Sequence, residues 1–367
     1  MNSKPDMDFQ LTKYSHGAGC GCKISPAILD RILHTPKPIS NNSSGDSHGK
    51  PDPRLLVGND TRDDAAVWDL GNGEALIATT DFFMPIVDDP YDFGRIASAN
   101  AISDVYAMGG RPVLAIAILG WPVDKLPPEA AAQVLEGARA ICAEAGIPLA
   151  GGHSIDCPEP VFGLAVNGIV AIANIRKNST ATAGSRLYLT KTLGVGILST
   201  AQKKGILAPE DAAAALSNMT TLNRLGERFG QIPGVTAMTD VTGFGLLGHL
   251  IEMCEGSNLS ATIEFEKVPV IRSITAYLEK GCIPGGTLRN WASYGQKIKR
   301  ATETQQQILA DPQTSGGLLI AVTPEARGEV ERLLQSQNLP AECCRPFGTL
   351  FPRDPKTPAF ITIETQP

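Results

Sequence analysis

The feature that most constrains the fold is an irregular succession of short apolar runs and helical segments in the main part of the chain. The runs at residues 74–83, 113–121 and 162–175 are rich in aliphatic residues and have the length of buried strands. The segments at 93–110 and 126–146 are typical of helices that end at glycine, the residue that accepts the left-handed helix terminus. Because strands and helices mix without strict alternation, the pattern favours an α+β fold over a doubly wound parallel sheet.

Two polar, turn-rich stretches indicate where folded units begin and end. Residues 36–53 hold one aliphatic side chain among proline, serine, asparagine and glycine, a composition typical of a solvated linker. A second such stretch covers residues 176–185. With 367 residues, 43% of them hydrophobic, the chain is large enough for two cores. We therefore expect an N-terminal arm and linker outside the fold at 1–53, an N-terminal domain at 54–176 and a C-terminal α+β domain at 177–367.

Composition excludes several classes of function. The net charge of −6 and the lack of a long basic run argue against a nucleic-acid-binding surface. The most apolar run, residues 113–121, is too short to span a bilayer, and the start of the chain does not resemble a signal peptide. Eight cysteines are too few for a disulfide framework in a chain of this length. We therefore expect a cytoplasmic protein that has free thiols and does not bind membranes.

Aspartates beside apolar elements form the most informative polar set: Asp63, Asp64, Asp81, Asp104 and Asp240. Asp81 and Asp240 end strand-like runs, and Asp104 lies one helical turn after Asn100, so that amide and carboxylate share a face. Two carboxylates about 4 Å apart repel by about 4 kcal/mol at an effective dielectric of about 20. If these aspartates converge, cations must hold them together, and oxygen ligands favour Mg²⁺ with substrate phosphates. The alternative is that each aspartate caps a helix or a turn.

Three glycine-rich stretches are candidates for binding phosphate, and none of them matches a standard nucleotide-binding motif. Gly152, His153 and Ser154 follow Gly151 and could cradle phosphate with backbone N–H groups, or form an ordinary turn. The stretch "GAGCGCKIS" is not a P-loop, because cysteine precedes the lysine and isoleucine follows it. "LGVGIL" lacks the third glycine of a dinucleotide fingerprint. A nucleotide would therefore bind on another scaffold.

The N-terminal stretch "YSHGAGCGCKISP" places two cysteines and a lysine on pliable backbone. The charge of Lys23 should favour the thiolate form of Cys20, and Lys23 could also neutralise phosphate oxygens. The glycines would let the arm close over a ligand and exclude water. Two alternatives stay open, namely an idle terminus and a soft metal site made of His16, Cys20 and Cys22. Cys142 and Cys254 lie on apolar helix stripes and are expected in the core.

Eight short motifs occur between Leu11 and Val322: "HGAGCGCK", "GNDTRDDAAV", "TTDFFMPIVDDP", "NAISDVYAMGG", "AGGHSID", "LTKTLGVG", "MTDVTGFGLLGH" and "DPQTSGG". Their combination resembles the selenophosphate synthetase family of the aminoimidazole-ribonucleotide-synthetase-like (PurM-like) superfamily. The resemblance implies a two-domain architecture, with an N-terminal mixed-sheet domain that dimerises, a C-terminal α+β domain and a mobile arm that carries glycines and cysteines.

The resemblance also implies an activity. Members of this family use ATP, selenide and water to make selenophosphate, AMP and orthophosphate, as homodimers with several Mg²⁺ ions beside the ATP. A monovalent cation is a further candidate cofactor, and a selenium-delivery protein is a further candidate partner. The rival interpretations are another PurM-like small-molecule kinase or carbonyl-activating enzyme, and a cysteine-based metal or redox sensor.

Matching the motifs position by position assigns roles to individual residues. Cys20 and Lys23 are the expected catalytic residues. The expected nucleotide-binding residues are Lys23, Thr61, Arg62, Asp63, Asp81 and Asp104, with Gly152, His153 and Ser154 from the partner subunit. The expected magnesium ligands are Asp64, Asp104 and Asp240.

Overall fold

Two mixed β-sheets with helices packed against them form the structure, which confirms the predicted α+β class. The computed structural model describes residues 9–24, 28, 32, 52–58 and 62–364. Thr61 and most of the predicted linker therefore lie outside the described residues. None of the helices in the described part of the chain has both the length and the apolar character needed to cross a bilayer.

The first half of the chain forms a sheet of six strands with two long helices. In chain order the elements are β1 (Leu55–Val57), β2 (Ala66–Asp69), β3 (Glu74–Phe83), α1 (Pro90–Ala107), β4 (Arg111–Trp121), α2 (Pro128–Ala145), β5 (Leu149–Asp156) and β6 (Val161–Ala171). The strand order is β1-β2-β3-β6-β4-β5, and all neighbours are antiparallel except β4 and β5. As predicted, α2 ends at Gly146, which has a φ of 77°.

Helices α1 and α2 pack so closely that two glycines are required between them. A Cβ atom on Gly94 would lie 1.9 Å from the carbonyl oxygen of Val134, and one on Gly137 would lie 1.9 Å from that of Tyr91. No side chain fits such a gap, so backbone meets backbone at this crossing. The N-terminus of α1 is capped by Asp89, whose carboxylate accepts from the backbone N–H of Asp92 at 3.0 Å.

The second half of the chain forms a sheet of seven strands surrounded by shorter helices. In chain order the elements are β7 (Arg186–Leu189), α3 (Val195–Lys203), α4 (Pro209–Thr220), α5 (Leu225–Gly230), β8 (Val235–Asp240), α6 (Gly245–Ser257), β9 (Leu259–Glu264), α7 (Ile274–Glu279), α8 (Gly285–Tyr294), β10 (Ile298–Lys299), α9 (Glu303–Leu309), β11 (Leu318–Val322), α10 (Arg327–Gln335), β12 (Gly348–Pro352) and β13 (Ile361–Glu364). The strand order is β10-β13-β9-β12-β7-β11-β8.

Helix α1 joins the two sheets. It contacts β3 and β6 of its own sheet and also β8, α4 and α5 of the second half. Nearly all of its residues are buried, which explains why a strongly one-sided apolar pattern is absent from its sequence. Polar residues of α1 therefore face a protein interior shared by both halves. Cys142 on α2 and Cys254 on α6 are buried in apolar clusters, as expected.

One of the glycine-rich stretches is a strand. The alternative that "AGGHSID" forms an ordinary turn is wrong, because the stretch belongs to β5, an edge strand that is exposed along almost all of its length. Gly152 has a φ of 159°, and a Cβ atom there would lie 2.3 Å from the carbonyl oxygen of Ala117 on β4. The glycine thus permits close pairing of the strands, which a pattern of alternating side chains cannot reveal.

The cysteine segment, which we define as residues 16–23, lies inside the fold, in contrast to the expected position on a tether. Leu11, just before it, is fully buried, and Thr12 binds the carboxylate of Asp88. Within the segment, the backbone N–H of Gly19 donates to the carbonyl oxygen of Met84 at 3.0 Å. Composition alone missed this docking because the contacts use backbone groups and small residues rather than an apolar stripe.

Candidate active site

A cleft of about 470 Å³ lies beside α1 and is lined by residues of both halves of the chain. Its walls come from β2, β3, α1, the end of β8 and the first turns of α6, together with Lys23 from the cysteine segment. Six of its lining side chains are acidic: Asp63, Asp64, Asp81, Asp104, Asp240 and Glu252. The predicted aspartates therefore converge, although they are spread over nearly half of the sequence.

Three of these aspartates form a compact cluster. Oxygen atoms of Asp64, Asp104 and Asp240 all lie within 4.8 Å of one another. Asp64 precedes β2, Asp104 lies on α1, and Asp240 is the last residue of β8. Each carboxylate accepts one hydroxyl hydrogen bond: Thr239 donates to Asp64 at 2.8 Å, Thr79 to Asp104 at 2.5 Å, and Ser103 to Asp240 at 2.6 Å.

The cluster is electrostatically strained without a counter-ion. Burial raises the pKa of each of the three carboxyl groups, and repulsion from neighbouring aspartates raises it further. Oδ2 of Asp64 is buried and has no hydrogen-bond partner. An unsatisfied buried oxygen beside two other carboxylates fits a divalent cation with oxygen ligands, which is the donor set that Mg²⁺ prefers. The residues present thus fit the predicted metal.

Lys23 and Asp81 form an ion pair next to the cluster. The ammonium nitrogen lies 3.2 Å from Oδ2 of Asp81, and the same oxygen accepts from Nδ2 of Asn100 at 2.6 Å. Burial lowers the pKa of Lys23, but the charges of Asp81 and its neighbours outweigh this effect and raise it overall. Because the Lys23 side chain is 37% exposed, solvent screens the pair and leaves the ammonium accessible from the cleft.

Cys20 is buried against α1 and is protonated in this arrangement. Its side chain is 1% exposed, its thiol donates to Oδ1 of Asn100 at 3.2 Å, and its backbone N–H donates to Oγ1 of Thr314 at 3.0 Å. Burial raises the pKa of the thiol, and the charge of Asp81 raises it further against the opposing effect of Lys23. Lys23 does favour the thiolate, as expected, but desolvation and the charge of Asp81 outweigh its effect, so the net pKa of the thiol is raised in this state.

This environment predicts slow alkylation of Cys20. Iodoacetamide reacts with thiolates, so at pH 7.5 Cys20 should react at least about tenfold more slowly than the less buried Cys344, and its rate should rise only at alkaline pH. Peptide mapping by mass spectrometry after timed quenching measures both rates in one sample. Preferential modification of Cys20 at pH 7.5 would contradict the buried thiol.

The remaining predicted site residues fall into two groups. Arg62 and Asp63 line the cleft, where the carboxylate of Asp63 accepts from the backbone N–H of Asn178 at 2.7 Å and so also holds the loop before β2 in place. Gly152, His153 and Ser154 lie on exposed β5, three strands away from β3, and do not line the cleft. The cleft of a single chain therefore contains only the first group.

Some residues of the site lack a sequence signal of their own. Thr79, Ser103, Thr239 and Thr314 supply hydroxyl groups to the site, but such residues are common and nothing in their spacing distinguishes them. Asn100 could be found, because its spacing from Asp104 places both on one helix face.

Among the described residues, the acidic cluster is the one group of potential ligands that converges, so the alternative of a soft metal site at His16, Cys20 and Cys22 gains no support.

His249 is a further residue of the cleft, and it is buried rather than solvent-exposed. Its Nε2 accepts from the backbone N–H of Thr242 at 3.1 Å, and its ring stacks on Phe244 with centroids 5.7 Å apart. Burial, and then the charge of Lys23, lowers its pKa to about 3. His249 is therefore a neutral hydrogen-bond acceptor that fixes the start of α6, not a cation.

Comparison with known proteins is consistent across sequence and structure. Residues 62–170 match the family model "AIR synthase related protein, N-terminal domain", and residues 182–345 match the corresponding C-terminal domain. The selenide, water dikinase of Photorhabdus laumondii is 60% identical over 332 residues, which cover 90% of this chain and 93% of that protein. The protein of the same name from Yersinia pseudotuberculosis is 57% identical over 354 residues, which cover 96% of this chain and 98% of that protein.

Solved structures share the fold at much lower identity. Thiamine-monophosphate kinase from Stenotrophomonas maltophilia superposes with a TM-score of 0.61 at 19% identity, and the match covers 85% of this chain and 92% of that one. Hydrogenase maturation protein HypE in complex with ATP gives a TM-score of 0.61 at 19% identity over 86% of this chain and 87% of that one. At this identity the likeness supports the two-domain fold alone.

Proposed function

This chain belongs to the selenide, water dikinase family of AIR synthase related proteins, and we propose that its acidic cleft and cysteine segment together form the active site for selenophosphate synthesis. The reaction uses ATP, selenide and water and yields selenophosphate, AMP and orthophosphate. The observation that carries the proposal is the continuous set of contacts from Cys20 through Asn100 to the Asp81–Lys23 pair. These contacts hold the thiol beside Lys23 and Asp81, which line the same cleft as the acidic cluster.

The acidic cluster is the proposed magnesium site. Asp64, Asp104 and Asp240 would hold Mg²⁺, which when bound neutralises charge on the polyphosphate oxygens of ATP. The hydroxyl donors Thr79, Ser103 and Thr239 keep the three carboxylates oriented toward the shared space. Arg62 and Asp63, with Thr61, are the proposed nucleotide-binding residues of this chain, and the lining of the cleft supports the first two.

Lys23 and Cys20 have separate proposed roles at the phosphates. The ammonium of Lys23 is accessible from the cleft and can share its charge between Asp81 and a phosphate oxygen. Cys20 supplies a soft sulfur whose position is fixed by Asn100 and Thr314. Its burial keeps bulk water from an activated phosphoryl group, which would otherwise be hydrolysed before selenium could react.

A homodimer would complete the site. The outer face of the N-terminal sheet, opposite α1, exposes Phe82, Ile116 and Ile155, a pattern that favours a protein partner. Gly152, His153 and Ser154 lie on β5, the exposed edge strand of this sheet, and their exposure supports the proposal that they contribute to the cleft of a partner subunit. A monovalent cation and a selenium-delivery protein stay predictions from the resemblance.

Phosphorus NMR tests the proposed reaction directly. We expect anaerobic incubation with Mg-ATP and hydroselenide to give a product with phosphorus–selenium coupling, together with equal amounts of AMP and orthophosphate. A sample without hydroselenide is the control. ADP as the end product, with no phosphorus–selenium signal, would instead favour another PurM-like kinase and overturn the proposal.

A further inference from the structure

The cysteine segment contributes walls to two cavities. Lys23 lines the acidic cleft, whereas His16, Gly17, Ala18 and Gly21 line a second cavity of about 310 Å³. This second cavity is bounded by α3, the start of α8 and the loop before β11. The segment thus lies between the acidic cleft and a second cavity that the proposed function does not use.

The two cavities have opposite electrostatic character. The acidic cleft has six carboxylates in its wall, while the described lining of the second cavity includes His16, Lys203 and Arg289 and no carboxylate. Glu159, which binds His16 at 2.9 Å, does not line this cavity. Bound ATP would add more negative charge to the cleft. With Mg²⁺-bound ATP filling the cleft, the cations of the second cavity make that side of the segment the favourable place for a separate small anion.

The cations of the second cavity are fixed beside Cys20. Nζ of Lys203 donates to the carbonyl oxygen of Gly17 at 3.2 Å, and Nη2 of Arg289 donates to that of Gly21 at 2.9 Å. These bonds hold the two charges on either side of Cys20 in the chain and occupy one N–H of each group, while an ammonium has three and a guanidinium five. Both side chains therefore keep donors for an anion.

Thr314 lies between the second cavity and the backbone of Cys20. Its side chain is 2% exposed, it lines the cavity, and its Oγ1 accepts from the backbone N–H of Cys20 at 3.0 Å. Gly19, directly before Cys20, packs so tightly that a Cβ atom would lie 2.4 Å from that same oxygen. The wall between the cavity and Cys20 is thus a single layer of threonine side chain and glycine backbone.

We infer that the second cavity binds hydroselenide and delivers it to Cys20. The inference rests on the proposed function, because it assigns the selenium substrate of that reaction. Hydrogen selenide is acidic enough to be a monoanion at neutral pH, and a large, weakly hydrated anion suits a cavity whose lining includes the weakly hydrated guanidinium of Arg289 and the ammonium of Lys203. Hydroselenide is thereby held on one side of the segment, across this thin wall from Cys20, while ATP occupies the other side.

Charge reversal at Lys203 tests the inference. Lys203→Glu should raise the KM for hydroselenide about tenfold or more, while the KM for ATP stays within about twofold, because one charge of the anion site is inverted and the cleft is untouched. Lys203→Arg, which keeps the positive charge, should keep the KM for hydroselenide at the wild-type value. Lys204→Glu is the matched control, since it makes the same charge change one residue later, on a side chain that binds the carbonyl oxygen of Gly281 and does not line the cavity.

The readout separates this inference from the proposed function. Initial rates of selenophosphate formation come from phosphorus NMR, with thermal melts to check that each variant is folded. An unchanged KM for hydroselenide in Lys203→Glu, with wild-type product formation intact, overturns the anion site and leaves the function standing. An equal rise in the two KM values also overturns it, because Lys203 would then only hold the segment closed. Failure of the wild-type protein to form selenophosphate would refute the function itself.

Discussion

Asp64→Asn is expected to stabilise the magnesium-free protein and, at the same time, to abolish selenophosphate formation. The acidic cluster raises the pKa of all three of its carboxyl groups. A carboxyl with a raised pKa in the folded state stabilises the fold below its unfolded pKa, and this contribution is lost as the pH rises through the folded value. At neutral pH without a cation, the cluster therefore costs stability.

Asparagine fits the position of Asp64 with little other change. Its Oδ1 can still accept from Thr239, and its amide group replaces the buried Oδ2, which lacks a partner, with a donor that faces the carboxylates of Asp104 and Asp240. Relief of repulsion should be worth about 1 kcal/mol after allowance for solvent screening of this half-buried group, or about 1–2 °C in Tm for a chain of this length. The same change removes a magnesium ligand, so activity should fall by about 10³-fold or more.

Thermal melts with EDTA and with excess Mg²⁺ at pH 7.5 measure both effects. The wild-type protein should gain stability from Mg²⁺, and Asp64→Asn should gain much less. The difference between the two proteins in EDTA should shrink as the pH falls and the wild-type cluster becomes protonated. Asp124→Asn on the exposed surface is the charge-matched control. A lower Tm for Asp64→Asn than for wild type in EDTA would contradict a strained cluster.

The sequence predicts the elements that carry the site better than it predicts their contacts. Strand β3 and helices α1 and α2 lie within a few residues of the predicted segments, because long apolar runs and glycine stops are local signals. Convergence of the aspartates is only a condition at the level of sequence, where separate caps remain an alternative, and the structure decides it in favour of one cluster. The hydroxyl groups that orient them come from three different elements, and no local pattern marks these residues.

The pKa of the Cys20 thiol shows that a charge nearby in the sequence does not by itself predict how a group ionises. Lys23 is three residues away, so a lowered pKa was the natural expectation. In the fold, Asp81 on β3 forms an ion pair with the ammonium of Lys23, and docking of the segment removes water from the thiol. Both effects depend on tertiary structure, and both raise the pKa of Cys20. Formation of a reactive thiolate therefore requires a change around the segment, such as movement of the segment that brings water to the thiol.

Cys20→Ser is expected to eliminate selenophosphate formation while leaving the nucleotide site intact. A serine hydroxyl can make the same hydrogen bond to Asn100, and the backbone contact to Thr314 does not involve the side chain, so the segment should still dock. Oxygen is a much harder and less readily ionised nucleophile than sulfur, so the rate of product formation should fall on the order of 10³-fold or more. Affinity for Mg-ATP should change less than about twofold, because Cys20 does not line the acidic cleft.

Cys22→Ser is the matched control for the thiol. Its sulfur donates to the carbonyl oxygen of Gly19 at 2.8 Å, a contact that a hydroxyl can keep, and the residue makes no contact with Asn100 among those described. Phosphorus NMR gives the rate of selenophosphate formation and calorimetric titration gives nucleotide affinity for both variants. Wild-type rates from Cys20→Ser would show that the thiol plays no chemical part, and the burial of Cys20 would then serve only to exclude water. Equal losses in both variants would indicate that docking of the cysteine segment, rather than the sulfur of Cys20, limits the reaction.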